Sequence, residues 1–257
     1  MGLKTFSRGG VHPPENKISA GNAIEVLPPP EMAIIPISQH LGAPSKVLVA
    51  RGDEVKVGQL IAQSDGFIST NIHSSVSGKV LKVDKFMDSS GYRKMAVQIQ
   101  VEGDLWVETI DRSDDLVRNT VLSSEDIRKK ILDAGIVGLG GATFPSHIKL
   151  MVPGGKSAEY LLVNGVECEP YLTADHALMM ERSEELLSGI QILMKGLGVE
   201  KAIIGIERNK PDAIKHLSEL AASFQGITVQ PLKVKYPQGG EKQLIKADMN
   251  REVPSGK

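Results

Sequence analysis

The stretch Glu159-Tyr-Leu-Leu-Val163, followed directly by Asn164-Gly-Val-Glu-Cys-Glu-Pro170, decides the fold class of this 257-residue chain. A short apolar run that ends in a polar loop is typical of a buried strand in a parallel sheet. Further apolar runs lie at Ala202–Ile206 and Ile227–Val234, and stretches of helical period separate the three runs. Strands that alternate with helices predict parallel pairing and an α/β layer.

Three helices are predicted around these strands. A capping pattern that starts at Ser123 opens a helix over Ile127–Ala134, which Gly135 ends. Apolar residues recur at helical spacing from Leu186 to Leu197, and Pro211 opens a helix that runs to about Phe224.

Functional residues are expected where the three strands end. Open parallel sheets bind their ligands beyond the carboxyl ends of the strands. The first strand continues into Asn164–Pro170, the second into Glu207-Arg-Asn209, and the third into Lys235-Tyr-Pro-Gln-Gly-Gly-Glu241. We therefore expect these three polar loops to share one edge of the sheet.

The first part of the chain has a different composition. Residues 1–33 are rich in proline and glycine, which predicts an extended arm that wraps the surface. Residues 34–102 alternate short β-branched runs with turn signals, which predicts a small all-β domain. Residues 103–123 are acidic and polar and are interpreted as a linker, and residues 124–257 form the α/β domain.

The all-β domain resembles the barrel-sandwich fold of biotinyl and lipoyl carriers. The resemblance rests on the pattern Val49-x-x-Gly-Asp-x-Val-x-x-Gly-Gln59, followed by Val76-Ser-Gly-Lys-Val80. Those carriers need a lysine on the hairpin between the two halves, and Gln63–Ser77 contains none. The domain is therefore interpreted as a structural or docking element.

Composition excludes several classes of function. With 30 basic and 31 acidic residues, the net charge of −1 disfavours a nucleic-acid partner. Because Cys168 is the one cysteine, the chain cannot form an internal disulfide or ligate an iron–sulfur cluster alone. A single cysteine also fits a reducing compartment. No apolar run approaches the length of a membrane span, so we expect membrane contact only through partners. The six histidines lack metal-ligand spacing, so no metal ligand is predicted.

The most distinctive stretch is Gly138-Leu-Gly-Gly-Ala-Thr-Phe-Pro145. Its small residues allow a ligand to approach backbone amides closely, although a plain tight turn has the same composition. It is not the dinucleotide fingerprint, because Thr143 occupies the last glycine position. Gly154-Gly-Lys-Ser157 is not a phosphate loop, because Leu150 stands where that motif needs a glycine.

Two carboxylates, Glu167 and Glu169, flank Cys168. They are able to accept hydrogen bonds from ribose hydroxyls, although such acids are more often simply solvated. The thiolate of Cys168 is disfavoured between two acids, so it is not expected to act as a nucleophile. No catalytic residue is predicted.

Several segments together closely resemble the RnfC family, which supplies one component of the Rnf electron transport complex. The segments that carry this resemblance are Gly9–Pro14, Ile37–Ala43, Gly138–Pro145, Asn164–Tyr171, Thr173–His176 and Tyr236–Leu244. The central domain of that family is in turn similar to the NADH- and FMN-binding flavoprotein of respiratory complex I. The resemblance implies a Rossmann-like flavin- and nucleotide-binding domain with a parallel sheet, after the barrel-sandwich domain.

The resemblance also implies a function. It points to the electron-input component of a membrane-associated ferredoxin:NAD oxidoreductase, with FMN as cofactor and NAD(H) as substrate. Hydride passes between NADH and FMN, and single electrons continue to iron–sulfur clusters. The family's two 4Fe-4S clusters are expected only in a C-terminal region beyond this chain. The implied partners are the membrane and ferredoxin-like components of the Rnf complex, and the implied location is the cytoplasmic face of the inner membrane.

Matching motif to motif, the resemblance implies a set of cofactor-binding residues. The flavin-cradling glycine loop, its aromatic residue and its lysine fall on Gly138, Gly140, Gly141, Ala142, Phe144 and Lys149. The acidic segment and the later tyrosine loop fall on Asn164, Glu167, Glu169, Tyr236, Gly239, Gly240 and Glu241.

The chain departs from the complex I pattern at four positions. Leu139 replaces an arginine, Val166 an acid, Cys168 a serine and Gly240 a glutamate. Two alternatives stay open. One is a scaffold protein without active flavin, like the component of the sodium-translocating NADH:quinone reductase that shares this architecture. The other is a soluble cobalamin reductase relative.

Overall fold

The computed structural model describes residues 3–254, which form two compact units. The β unit comprises Val26–Asp115 and Leu122–Val152. The α/β unit comprises residues 3–25, 116–121 and 153–254. Each unit therefore combines segments that are distant in the sequence.

The β unit is built from short antiparallel strands, as the barrel-sandwich prediction requires. The strands are β1 (Met32–Pro36), β2 (Lys46–Val47), β3 (Glu54–Val55), β4 (Leu60–Gln63), β5 (Ile72–His73), β6 (Gly78–Met87) and β7 (Arg93–Val101). One sheet has the order β1-β7-β6-β3 and the other the order β2-β4-β5. Alternate side chains, among them Ile61, Val80, Val97 and Ile99, form a common core.

Two helices complete the β unit, α1 (Ser124–Asp133) and α2 (Ser146–Lys149). The side chain of Ser123 accepts a hydrogen bond from the backbone of Asp126 in a capping box, so the predicted first helix is confirmed. Gly135 follows α1 with a φ of 70°, and a Cβ there would lie 2.3 Å from the carbonyl oxygen of Asn71. Glycine is therefore required at this position.

The elements of the α/β unit are β8 (Leu161–Asn164), α3 (Ala174–Glu181), α4 (Ser183–Leu197), β9 (Ala202–Glu207), α5 (Pro211–Ala221), β10 (Ile227–Leu232) and α6 (Glu241–Met249). The three strands form a parallel sheet of order β10-β9-β8, which confirms the predicted layer. Val163 of β8 and Val229 of β10 both pair with Ile204 of β9, the central strand.

Some predicted bounds were wrong. The last strand ends at Leu232 rather than Val234, and α5 ends at Ala221 rather than Phe224. Helix α6, which starts where the third polar loop ends, was not predicted. Its Leu244 and Ala247 pack on Leu232, so tertiary packing supports a helix with little amphipathic signal of its own.

The N-terminal arm, as far as Glu25, belongs to the α/β unit. Lys4 forms a parallel bridge to Leu232, and Val11 exchanges two backbone hydrogen bonds with Tyr236. The arm thus runs along the open edge of β10. Within residues 3–254, none of the helices combines the length and the apolar character that a membrane span needs.

Candidate functional site

In the α/β unit, the structure brings the three polar loops together. The side-chain amide of Asn164 donates to the carbonyl oxygen of Gly239 at 2.8 Å, and the backbone N–H of Gly239 donates to Sγ of Cys168 at 3.3 Å. The backbone N–H of Lys235 donates to Oε1 of Glu207 at 2.9 Å. The carboxyl edge of the sheet is therefore one connected network.

The stretch Asn164–Pro170, here called the acid loop, is held by an internal hydrogen bond and by contacts with neighbouring parts of the α/β unit. Oδ1 of Asn164 accepts from the N–H of Val166, so both ends of the Asn164 amide are engaged. Val166 is fully buried against Leu232 and Leu244. The acid loop therefore has a fixed shape in this unit.

Glu167 and Glu169 differ in environment. Glu167 is 8% exposed with a φ of 48°, and its Oε1 accepts from the backbone N–H of Asp175 at 2.7 Å. Its Oε2 has no hydrogen-bond partner among the described residues and lies 4.0 Å from Nζ of Lys17. Glu169 is exposed. Of the two carboxylates, only Glu169 is free to meet a ligand without rearrangement.

The later loop presents Tyr236, Gly239, Gly240 and Glu241. Tyr236 is 36% exposed, and the bond to Pro237 is cis. A Cβ on Gly239 would lie 3.2 Å from Sγ of Cys168, so the contact to the acid loop favours glycine here. Gly240 caps α6, and Glu241 is exposed in its first turn, where the helix dipole favours an acid.

A cluster of charged side chains that was not predicted from the sequence lies beneath the acid loop. It consists of Lys17, Glu167, Glu207 and Lys210. Lys210 is 2% exposed, and its Nζ donates to the carbonyl oxygen of Val166 at 2.7 Å. Burial lowers the pKa of Lys210 and raises the pKa of Glu207, while each opposite charge counters the shift.

A partial signal for this cluster existed in the sequence. Glu207 and Lys210 follow a buried strand at its carboxyl end, where functional or structural charges concentrate. Lys17 gives no local signal, because the carbonyl groups it binds are about 150 residues away in the chain.

A cavity of about 590 Å³ opens at the same edge of the α/β unit. The arm lines one side with residues that include His12 and Lys17, and the strand ends line the other with Arg208, Lys233 and Tyr236. Cys168 also contacts this cavity, and burial raises the pKa of its thiol, with smaller contributions from nearby acids. The neutral thiol agrees with the prediction that Cys168 is not a nucleophile.

In the β unit, the stretch Gly138–Pro145, here called the glycine loop, joins α1 and α2. A hydrogen bond from the N–H of Gly138 to the carbonyl oxygen of Phe144 closes its base. Leu139 at its tip is 87% exposed, Phe144 is half-buried, and Ala142 and Lys149 are exposed.

The three glycines of this loop are not required by its geometry. A Cβ on Gly138, Gly140 or Gly141 would meet no described atom within 4 Å, and none of the three has a positive φ. A turn that needed glycine for its own fold would show either a close contact at the added Cβ or a positive φ. A side chain at any of these three positions would therefore extend into open space.

Two family models match this chain, each over a different part of it. Residues 4–104 match the family model described as the RnfC barrel sandwich hybrid domain, and residues 131–257 match the Nuo51 FMN-binding domain. The C component of a proton-translocating ferredoxin:NAD(+) oxidoreductase complex, from Clostridium ljungdahlii, is 49% identical over 99% of this chain. This chain belongs to the RnfC family.

A second curated relative and one solved structure are also similar to this chain. The corresponding component of a Na(+)-translocating ferredoxin:NAD(+) oxidoreductase complex, from Acetobacterium woodii, is 46% identical over 97% of this chain. The match covers 55% of the Clostridium protein and 56% of the Acetobacterium protein, so the chain spans about half the length of these curated relatives. A crystal structure of an NAD+-reducing nickel–iron hydrogenase matches 48% of this chain and 23% of its own chain, with 25% identity and a TM-score of 0.42.

Proposed function

We propose that this chain is the electron-input part of a ferredoxin:NAD oxidoreductase, where it binds FMN and NADH. The open backbone of the glycine loop is the observation that supports this proposal most directly. The match of residues 131–257 to an FMN-binding domain also supports it, because this range includes all of the proposed cofactor-binding residues. The names of the two relatives, both components of ferredoxin:NAD(+) oxidoreductase complexes, supply the reaction class.

The residues of this chain fit a flavin nucleotide. Gly140 and Gly141 are exposed, and a Cβ on either residue would meet no described atom within 4 Å, so a phosphate or a ring edge is able to approach their backbone amides. Phe144 offers an aromatic face, and the ammonium of Lys149 is exposed and able to offset phosphate charge. FMN, when bound, accepts hydride from NADH and releases electrons singly.

The acid loop and the later loop, Tyr236–Glu241, have separate proposed roles. Glu169 is exposed and suits the hydroxyls of a nicotinamide nucleotide, whereas buried Glu167 orients the loop from within. Tyr236 and Glu241 present an aromatic and an acidic group at the same edge of the sheet. Like the glycine loop, both loops fall within the range that matches the FMN-binding domain. The membrane and ferredoxin-like components of the complex, on the cytoplasmic face, are the proposed partners.

An anaerobic titration of the purified chain with FMN tests this function. Flavin fluorescence reports binding, and added NADH should bleach the flavin absorbance. We expect Gly140→Val to abolish saturable FMN binding without unfolding the chain, because the new side chain fills the open cradle. Gly154→Val is the matched control, since Gly154 is equally open but lies outside the glycine loop.

Two results would argue against the proposal. If Gly140→Val binds FMN with the affinity of the wild type, the glycine loop is not part of the flavin site. If the wild-type chain binds no FMN, the proposal fails for this chain, and a non-catalytic scaffold role is favoured instead.

A further inference from the structure

We propose that Lys17, in the N-terminal arm, is a positioning residue that holds the acid loop in its cofactor-binding shape. The inference rests on the proposed function, because it concerns the loop that presents Asn164 and Glu169. It adds to the site a residue that lies 150 positions before Glu167 in the sequence.

The ammonium group of Lys17 uses all of its donors on this loop and the residues just after it. Nζ donates to the carbonyl oxygen of Glu167 at 2.8 Å, of Glu169 at 2.9 Å and of Leu172 at 2.6 Å. A lysine ammonium has three N–H groups, so these contacts account for every one. The Lys17 side chain is only 16% exposed, so water competes weakly for these hydrogen bonds.

The backbone here adopts a conformation that needs support. Glu167 has a φ of 48° and Tyr171 a φ of 68°, both in the left-handed region that residues other than glycine rarely adopt. The three carbonyl groups on Lys17 belong to Glu167, Glu169 and Leu172, so they span this strained stretch. Charge-assisted hydrogen bonds to one ammonium offset the strain of turning these carbonyls toward a common point.

The arm makes further contacts beside Lys17. The carbonyl oxygen of Glu15 accepts from the N–H of Tyr171 at 3.0 Å, and Oγ of Ser19 lies 2.8 Å from Oγ1 of Thr173. Lys210 holds the carbonyl oxygen of Val166 independently. These contacts keep the arm and the loop in place, so loss of Lys17 should loosen the loop without unfolding the unit.

The charge on Lys17 also matters for the carboxylate that it approaches. Its Nζ lies 4.0 Å from Oε2 of Glu167, which has no hydrogen-bond partner among the residues that the structure describes. A neutral side chain at position 17 would leave this buried carboxylate with Lys210 as its remaining nearby cation. The same substitution therefore changes both the shape and the electrostatic potential of the acid loop.

Hydrogen exchange and NADH titration of the full chain test the assignment. Lys17→Met keeps the length of the side chain and removes its charge, whereas Lys17→Arg keeps charge and donors. In Lys17→Met we expect the amides of residues 165–169, 171 and 172 to exchange about tenfold faster, with β9 amides unchanged, because only the loop opens. We expect its NADH dissociation constant to rise about tenfold, because the acid loop presents Glu169, the proposed contact of the nicotinamide nucleotide, and we expect Lys17→Arg to stay near the wild-type value. Lys82→Met, at an exposed lysine of β6, is the control.

The outcomes separate this inference from the proposed function. Wild-type exchange rates in Lys17→Met would overturn the assignment, and so would faster exchange with unchanged NADH affinity. Faster exchange throughout the α/β unit would also overturn it, because Lys17 would then be a general structural residue. A wild-type chain that binds no FMN would overturn the proposed function, while the exchange rates would still decide whether Lys17 holds the loop.

Discussion

The glycine loop of the β unit presents bare backbone to open space, whereas the acid loop of the α/β unit is enclosed by charged side chains. A Cβ on Gly140 would meet no described atom within 4 Å, but a Cβ on Gly165 would lie 3.2 Å from the carbonyl oxygen of Gly205. Glu167 in the acid loop is buried beside two ammonium groups. Contacts within its own unit thus restrict the residues of the acid loop, whereas no such contacts restrict the glycines of the glycine loop.

This difference helps to distinguish residues that the fold requires from residues that a ligand would require. The buried part of the acid loop is explained by its contacts, so its residues would be needed for folding even without a ligand. The glycines of the other loop have no such explanation in the fold, and the proposed binding of FMN would supply one. The open glycine loop therefore supports a binding role more strongly than the buried part of the acid loop does.

The largest expected effect concerns the cations under the acid loop. Lys210→Met removes a buried ammonium and leaves Glu167 and Glu207 less compensated, which should lower the free energy of unfolding by about 3–5 kcal/mol. Chemical denaturation at pH 7 measures this loss, with Lys82→Met as the exposed control, expected to change stability by less than about 1 kcal/mol. A loss below about 1 kcal/mol in Lys210→Met would mean that the cluster does not hold the loop.

A smaller effect is expected at Asp248, in α6 behind the acid loop. Burial raises the pKa of Asp248 to about 6, with Lys4 acting in the opposite direction, and neither carboxylate oxygen has a hydrogen-bond partner among the described residues. The folded state therefore prefers the protonated acid. This acid's contribution to stability is most favourable below the ordinary pKa of 3.8 and is lost as pH rises through about 6.

Asp248→Asn tests that pH dependence. The variant should gain stability relative to the wild type as pH rises from 4 to 7, by roughly 2 kcal/mol at pH 7, because the amide stays neutral. Denaturation curves of both proteins over this range give the difference at each pH. A difference that does not vary with pH would show that the Asp248 carboxyl titrates as an ordinary surface acid.

The smallest effect compares one glycine from each loop. Gly165→Ala crowds a buried carbonyl and should cost about 1 kcal/mol, whereas Gly140→Ala should stay within about 0.5 kcal/mol of the wild type. Equilibrium unfolding of the two variants measures both values. Equal losses at the two positions would remove the contrast between an enclosed and an open loop.

Much of the fold was predictable from local pattern. The apolar runs at β8, β9 and β10, the cap at Ser123 and the stop at Gly135 are set by residues next to one another, and the structure confirms them. Helix α6 was missed because its support comes from Leu232 and Val166 rather than from its own period. The polar strand ends were expected to share an edge, and their hydrogen bonds show that they do.

The sequence by itself determined the fold class of both units, the location of the polar loops and the RnfC resemblance, because periodicity and motifs are properties of neighbouring residues. Only the tertiary structure decided which motif is buried and which is open, and which distant residues support the acid loop. Lys17 and the carbonyl oxygen of Glu167 are 150 residues apart in the chain but 2.8 Å apart in space. No local pattern encodes that hydrogen bond, since it exists only after the arm has packed on the sheet.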